Sequence, residues 1–316
     1  MPHTHRATKA ALYQRYISIA STVNPVCFLS FGTSSITLQA SINLRPMAEP
    51  NTVLVHHSKN GITTVTINRP HVRNAVDTPT AQKLYEALLA FDTDETSKIC
   101  ILTGSEDTFC AGFDLHTVSQ TPLPPAPTAD TPSIAPMGPS RVRLSKPLIA
   151  AIEGHAVAGG LELALLADLR VASETAVFGV FCRRWGVPLI DGGTVRLPHV
   201  VGFGRAMDMV LTGRAVDAQE ALAMGLANRI VPKGQALAEA NKLAEELLKW
   251  PQKCMLADRE SAYFAAFDAG SFQEAMRNEF VKGSVVVQQE SVDGAARFSG
   301  GAGRHGDFGA KLTSKL

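Results

Sequence analysis

From Thr52 the spacing of apolar side chains reads as strand: TVLVHH (52–57), then Gly61, then ITTVTIN (62–68) with apolar positions alternating until Asn68-Arg69-Pro70 ends the run. Two such runs separated by a glycine-bearing turn predict a hairpin. The period then changes. In Thr78 to Phe91 (TPTAQKLYEALLAF) the residues Leu84, Ala87, Leu88 and Phe91 share one helical face, with Thr78 as the N-cap and Pro79 at the first helical position. KICILTG (98–104) and PLIAAIEG (147–154) are short apolar runs of strand type, and further helical patterns follow in RAMDMVLTG, DAQEALAMG and QALAEANKLAEELLKW. Pro251 comes after the last of these, and a final helical stretch is expected to about Phe280. Strands alternating with helices predict an α/β core.

Between Ser119 and Ser140 the pattern breaks into SQTPLPPAPTADTPSIAPMGPS, whose seven prolines oppose helix and central strand and favour extended backbone, as a lid or an insertion. The chain has 316 residues, 45% hydrophobic and 19% charged, with a formal net charge of +1, which excludes a basic nucleic-acid binder and an acidic disordered chain. No window reaches the roughly 18 apolar residues of a membrane-spanning helix. The five cysteines, Cys27, Cys100, Cys110, Cys182 and Cys254, lack C-x-x-C spacing, so a reducing compartment is expected. His56-His57 has no third ligand nearby in sequence, and no metal is expected.

The two ends carry different signals. Residues 1–46 hold Arg6, Lys9, Arg15 and Arg45, many Ser and Thr, and no acidic residue, the composition of an organellar transit peptide. A disordered arm, or a start at Met47 just before the first strand, accounts for the same segment. The last residues are Ser314-Lys315-Leu316 after a glycine-rich tail, the tripeptide read by the peroxisomal import receptor. The expected location is the peroxisome, with the mitochondrion as the alternative.

Candidate chemistry concentrates in SKPLIAAIEGHAVAGGLELALLADLRVAS. An apolar strand enters a small-residue loop and then a helix with Glu162 in its first turn, where N–H groups lack helical partners and glycines permit close approach. Packing glycines and a dipole-complementing glutamate would give the same sequence. A second loop, FCAGFDL (109–115), offers N–H groups around Gly112 and Phe113. Donors from the two loops that converge on one carbonyl oxygen would stabilise an enolate or a tetrahedral oxyanion.

The ordered series NRPHVRNAVD, FCAGFDL, KPLIAAIEGHAVAGGLELALLADLRVAS, GGTVRLPHVVG and ALAMGLANRIVP resembles the enoyl-CoA hydratase/isomerase (crotonase) family over roughly residues 50–280. The resemblance implies an α/β fold, a crotonase-like spiral of ββα units with a C-terminal helical region, assembled as a homotrimer or hexamer. Its expected organisation is an extension over 1–46, an acyl-CoA-binding core over 47–250 with the insertion 119–140, a helical region over 251–300 and a flexible tail over 301–316. The implied substrate is an acyl-CoA thioester, with no cofactor beyond its own CoA and no nucleic-acid partner. Phe113 and Gly159 fall on the family's oxyanion donors and Glu162 on its first catalytic glutamate. Arg73, Ala111, Gly112, Asp114 and Gly160 fall on substrate-binding positions, Arg73 toward the nucleotide part of CoA.

The family's second glutamate is absent, because its position in FGVFCRRWG is Cys182. Simple hydration normally shares positioning and proton transfer between two carboxylates. Asp191, in VPLIDGGT, lies where dienoyl-CoA isomerase relatives carry an aspartate, and is either the second catalytic carboxylate or the N-cap of the helix continuing as TVRLPHVVG. Apolar neighbours Val187, Leu189 and Ile190 predict a raised pKa for it. The reaction is expected to be isomerisation or reversible hydration of an enoyl-CoA; a hydroxyacyl-CoA dehydratase and a non-catalytic acyl-CoA-binding protein are the alternatives. Arg183 and Arg184 either line the pocket or are paired at the surface.

Overall fold

A computed structural model of the chain describes residues 51–118, 133–301 and 303. The extension 1–46, Met47, residues 119–132 of the proline-rich stretch and the tripeptide Ser314-Lys315-Leu316 lie outside the described residues.

The strands are β1 (Val53–His57), β2 (Ile62–Ile67), β3 (Ile99–Gly104), β4 (Leu148–Ile152), β5 (His155–Val157), β6 (Leu169–Ser173), β7 (Val177–Gly179), β8 (Ala215–Asp217) and β9 (Arg229–Val231). The expected hairpin is β1 with β2, antiparallel, Val53 opposite Ile67. From β2 onward the larger sheet is parallel, in the order β1-β2-β3-β4-β6-β9, while β5-β7-β8 form a smaller second sheet. Consecutive strands β4 and β5, and again β6 and β7, pass from the larger sheet to the smaller one. That alternation is the spiral of the crotonase fold.

Continuous apolar runs in β3 and β4 follow from burial on both faces. Ile99 and Ile101 face one way, toward Ala240 and Leu243, whereas Cys100 and Leu102 face the main core with Leu84, Leu88 and Phe91. The three-residue strands β5 and β7 to β9 are too short for a periodic signal, and only pairing defines them.

Ten helices are described: α1 (Thr78–Thr93), α2 (Leu115–Val118), α3 (Gly159–Leu166), α4 (Gly193–Val201), α5 (Phe203–Thr212), α6 (Ala218–Ala223), α7 (Ala236–Leu247), α8 (Gln252–Phe267), α9 (Phe272–Val286) and α10 (Val292–Ser299). The cap of α1 is Asp77, not Thr78: Asp77 is extended and its carboxylate accepts the Thr80 N–H at 2.9 Å. Helical structure also runs past Phe280, through a π-helical turn at Val287–Ser291, to Ser299. The valine run 285–287 is a weak helix former, but tertiary contacts override it. Lys282 pairs with Glu260 at 2.7 Å and Glu290 accepts the Cys254 N–H at 2.8 Å, holding α8 and α9 antiparallel. Among the described residues, no helix is long and apolar enough to cross a membrane.

Two polar residues, Asn74 and Arg69, lock the loops that carry the candidate chemistry. Buried Asn74 takes the Arg69 N–H on Oδ1 and donates from Nδ2 to the carbonyls of Ser105 and Thr108. The guanidinium of Arg69, itself buried, donates to the Ala75 carbonyl at 2.6 Å and pairs with Asp77 and Asp114. NRPHVRNAVD is thereby stitched to FCAGFDL. The latter is pinned in turn to β5, by Cys110 N–H to the His155 carbonyl and Val157 N–H to the Cys110 carbonyl. Helix α3 then presses so closely that a Cβ at Gly160 would lie 2.1 Å from the Cys110 carbonyl oxygen. Gly160 is a packing glycine. Substituting Gly160→Ala forces backbone apart in the core and is expected to cost roughly 2–3 kcal/mol, read as a lowered thermal unfolding midpoint.

Candidate active site

Glu162 lies in the first turn of α3 and is only 3% exposed. An isolated buried carboxylate is costly, and this one is held from outside its own helix. Its Oε1 accepts the Asp191 N–H at 2.9 Å and the Gly193 N–H at 2.8 Å. Oε2 accepts no hydrogen bond among the described residues. Burial, and after it the neighbouring Asp191 charge, push the carboxyl up to about 7, against the lowering effect of the two N–H donors.

Asp191, likewise 3% exposed, does not cap α4, whose N-cap is Gly192 with no side-chain hydrogen bond. Gly192 takes the left-handed conformation, so the chain turns between Asp191 and the helix and directs the carboxylate elsewhere. Asp191 Oδ1 accepts the Met137 N–H at 2.9 Å and the Ser140 hydroxyl. Burial raises its pKa, opposed by those two donors and by Arg141 and Arg196. Arg196 completes the frame, donating to the carbonyls of Asp191 at 3.3 Å and Ser140 at 2.7 Å. Met137, Ser140 and Arg196 are the site residues that sequence reasoning missed. More than fifty residues separate the first two from Asp191, and proline-rich spacing carries no sign of which face folds inward.

The two loops meet at the start of α3. Gly112, with φ 105°, occupies backbone space that a side chain would fill, since a Cβ there would lie 3.0 Å from the Gly159 nitrogen. Ala158, just before Gly159, has φ 54° and ψ −126°, a strained pair for a residue with a side chain. It is held there because its N–H reaches the Gly179 carbonyl and its own carbonyl accepts from Leu161 and Glu162. Phe113 bridges Val76 in parallel, through Val76 N–H to the Gly112 carbonyl and Asp114 N–H to the Val76 carbonyl, which turns its own N–H away from Val76. Among the described residues, neither the Phe113 N–H nor the Gly159 N–H has an acceptor. The side chain of Met137 packs over Gly159, where a Cβ would come 2.5 Å from Sδ.

The other expected positions separate. Ala111 donates its N–H to the carbonyl of Arg73, an exposed residue with φ 55°. Asp114 is committed to the scaffold, pairing with Arg69 at 3.3 Å and accepting the His116 N–H at 3.0 Å. Cys182 sits buried in the 3₁₀ turn Phe181–Trp185, where burial, and next the Glu162 charge, push its thiol up. It is therefore a neutral neighbour of Glu162. Arg183 and Arg184 are spent on the carbonyls of Val210 and Gly213, with Arg184 also 3.8 Å above the Phe181 ring. Among the described residues, no group of three or more His, Cys, Asp or Glu side chains is placed to hold a metal ion.

The chain is similar to proteins already known. An enoyl-CoA hydratase of Mycobacterium tuberculosis is 42% identical over 190 residues, 58% of this chain and 70% of the relative. A carnitinyl-CoA dehydratase of Salmonella enteritidis is 38% identical over 197 residues, 61% of this chain and 74% of its own length. A Dictyostelium discoideum relative named "Probable enoyl-CoA hydratase, mitochondrial" is 35% identical over 215 residues, 68% of this chain and 76% of the relative. Among solved structures, an enoyl-CoA hydratase of Mycobacterium marinum superposes with a TM-score of 0.71 at 30% identity, over 79% of this chain and 96% of that one. The family model for enoyl-CoA hydratase/isomerase matches residues 57–298. That match takes in most of the chain, and the solved structure superposes on its fold: the chain belongs to the enoyl-CoA hydratase/isomerase family.

Proposed function

We propose that the protein moves a proton at Cα of an acyl-CoA thioester, with Glu162 as the acid/base and the N–H groups of Phe113 and Gly159 as the oxyanion donors. One observation carries the reading: Glu162 is fixed through Oε1 by two backbone donors while Oε2 has none among the described residues. A base held at one oxygen and open at the other is oriented without being neutralised. With a pKa of about 7 it accepts and returns a proton near neutral pH.

Removing the α-proton leaves negative charge on the thioester oxygen, which the two unspent N–H groups stabilise without reorganisation. Returning the proton at Cγ shifts the double bond. In hydration, protonated Glu162 gives its proton to Cα as water adds at Cβ, and the proton that this water loses passes to the second carboxylate. Asp191 is the second carboxylate, with Oδ1 occupied by Met137 and Ser140 and Oδ2 left for a relay with Glu162. Cys182, where the resemblance expects a second glutamate, favours isomerisation over simple hydration; dehydration, the reverse of hydration, is the second reading, with Asp191 in place of the missing glutamate, and the carnitinyl-CoA dehydratase relative supports it. The reaction needs no dissociable cofactor beyond the CoA of the substrate. The proposed assembly is a trimer or hexamer. The proposed location is the peroxisome, through Ser314-Lys315-Leu316, with the mitochondrion as the alternative that the Dictyostelium name supports.

In deuterated water the protein should exchange the α-hydrogens of a saturated acyl-CoA, followed by mass spectrometry. Glu162→Gln should lower that rate by about 10³-fold while leaving acyl-CoA binding intact; exchange at the original rate would refute the role of Glu162. For the unmodified enzyme, kcat/KM should rise with pH through about 7 as the base ionises.

The same group links stability to pH. Its folded pKa of about 7 lies above the ordinary 4.5, so its stabilising contribution is complete below about 4.5 and is lost as pH rises through 7. Glu162→Gln should abolish that loss and stabilise the fold at pH 8 by up to about 3 kcal/mol, measured by chemical denaturation. Deleting Ser314-Lys315-Leu316 from a fluorescent fusion should release the protein from peroxisomes; an unchanged distribution would exclude the tripeptide as its address.

A further inference from the structure

Outside the catalytic carboxylates, the most unusual cluster is a cleft of about 320 Å³ between α8 and the helices α3 and α4. Its lining includes three guanidinium groups, Arg170, Arg196 and Arg259, and a single carboxylate, Asp168. Asp168 is fully committed: Oδ1 accepts from Arg259 Nε and the Tyr263 hydroxyl, both at 2.9 Å, and Oδ2 accepts the Leu148 N–H at 2.8 Å. The arginines are mainly held by carbonyls. Arg170 donates from Nε to Leu226 and from Nη1 to Ala167, Arg259 donates from Nη1 to Leu144, and Arg196 spends both terminal nitrogens on Asp191 and Ser140.

One nitrogen of each guanidinium is left: Nη2 of Arg170, Nε of Arg196 and Nη2 of Arg259 have no acceptor among the described residues, and none is sealed from solvent. Arg170 is only 5% exposed and lines this cleft, as do Arg196 and Arg259, which also border a neighbouring cleft of about 220 Å³. Burial also holds Arg170 and Arg196 below the ordinary arginine value, the mark of positive charge short of compensation. Leu165, Val200 and Phe267 give the cleft an apolar wall, and the ring of His199, 4.7 Å from that of Phe267, lines it as well.

We propose that this cleft binds a small organic carboxylate, its charged end on the unspent nitrogens of Arg170, Arg196 and Arg259 and its hydrocarbon against Leu165, Val200 and Phe267. Guanidinium groups favour carboxylate and phosphate alike. The apolar wall selects the organic acid, because inorganic phosphate leaves that surface wet. Glu162, Asp191, Phe113 and Gly159 do not line the cleft. The carboxylate site is therefore separate from the thioester site, and Arg196, which also braces the Asp191 turn, is shared between them.

Calorimetry on the full chain with octanoate, octylammonium and inorganic phosphate tests this. Octanoate should bind saturably, octylammonium should not bind, and phosphate should bind more weakly than octanoate. Two substitutions at rim alanines test the location: Ala266→Trp fills the cleft, and Ala262→Glu supplies an internal carboxylate to the same arginines. Each should weaken octanoate by roughly tenfold or more with the unfolding midpoint and acyl-CoA binding unchanged. Octanoate binding that survives in both variants, phosphate binding as tight as octanoate, or octanoate displaced by a saturated acyl-CoA would overturn the proposal. Since none of these readouts is catalytic, the site can fail while the Glu162 mechanism stands, and the reverse.

Discussion

Two backbone N–H groups, from Asp191 and Gly193, converge on one oxygen of Glu162, and the site is organised around that pair of bonds. They join the first turn of α3 to the turn that precedes α4, two pieces of chain about thirty residues apart. Without them a carboxylate at 3% exposure would carry its burial cost uncompensated. With them, the group stays buried yet keeps a pKa near 7, because two neutral donors offset only part of the desolvation and of the Asp191 charge. The bonds also choose which oxygen is left without a hydrogen bond among the described residues.

The arrangement extends outward in layers. Asp191 can present its N–H to Glu162 because its own side chain is anchored by Met137 and Ser140, and its carbonyl by Arg196. Beside the start of α3, Arg69 and Asn74 hold the 109–115 loop so that Gly112 meets that helix without a side chain between them. Charge and rigidity are thus supplied by different parts: the carboxylates sit in one shell, and the residues that immobilise them are arginine, asparagine, serine and bare backbone. Ala158 shows the cost of the geometry, a strained conformation retained because hydrogen bonds fix both sides of its peptide.

Much of the scaffold is legible in the order of residues. The hairpin, the apolar strands β3 and β4, and the amphipathic helix α1 follow from periodicity, and the glycines before Glu162 and around Gly112 mark where backbone must come close. Boundaries were less legible. Asp77 rather than Thr78 caps α1 because an extended aspartate beside Arg69 offers the better acceptor. The helices beyond Phe280 persist because α8 pairs with α9 through Glu260 and Lys282 and with the π-helical turn through Glu290, contacts that no local propensity encodes.

The sequence by itself determined the class of chemistry: strand, small-residue loop and helix bearing Glu162, a second glycine loop, a cysteine in place of a further carboxylate, and a family resemblance running through them. Only the tertiary structure decided where the Asp191 carboxylate goes. As text, an aspartate before Gly-Gly-Thr reads equally as a helix cap, since capping depends on one rotation of the chain and the left-handed Gly192 makes that rotation the other way. Its partners Met137 and Ser140 come from a proline-rich stretch without periodicity, and their meeting is set by packing across the core. Local pattern fixes which residues can carry charge and turn the chain; long-range packing alone fixes which of them touch.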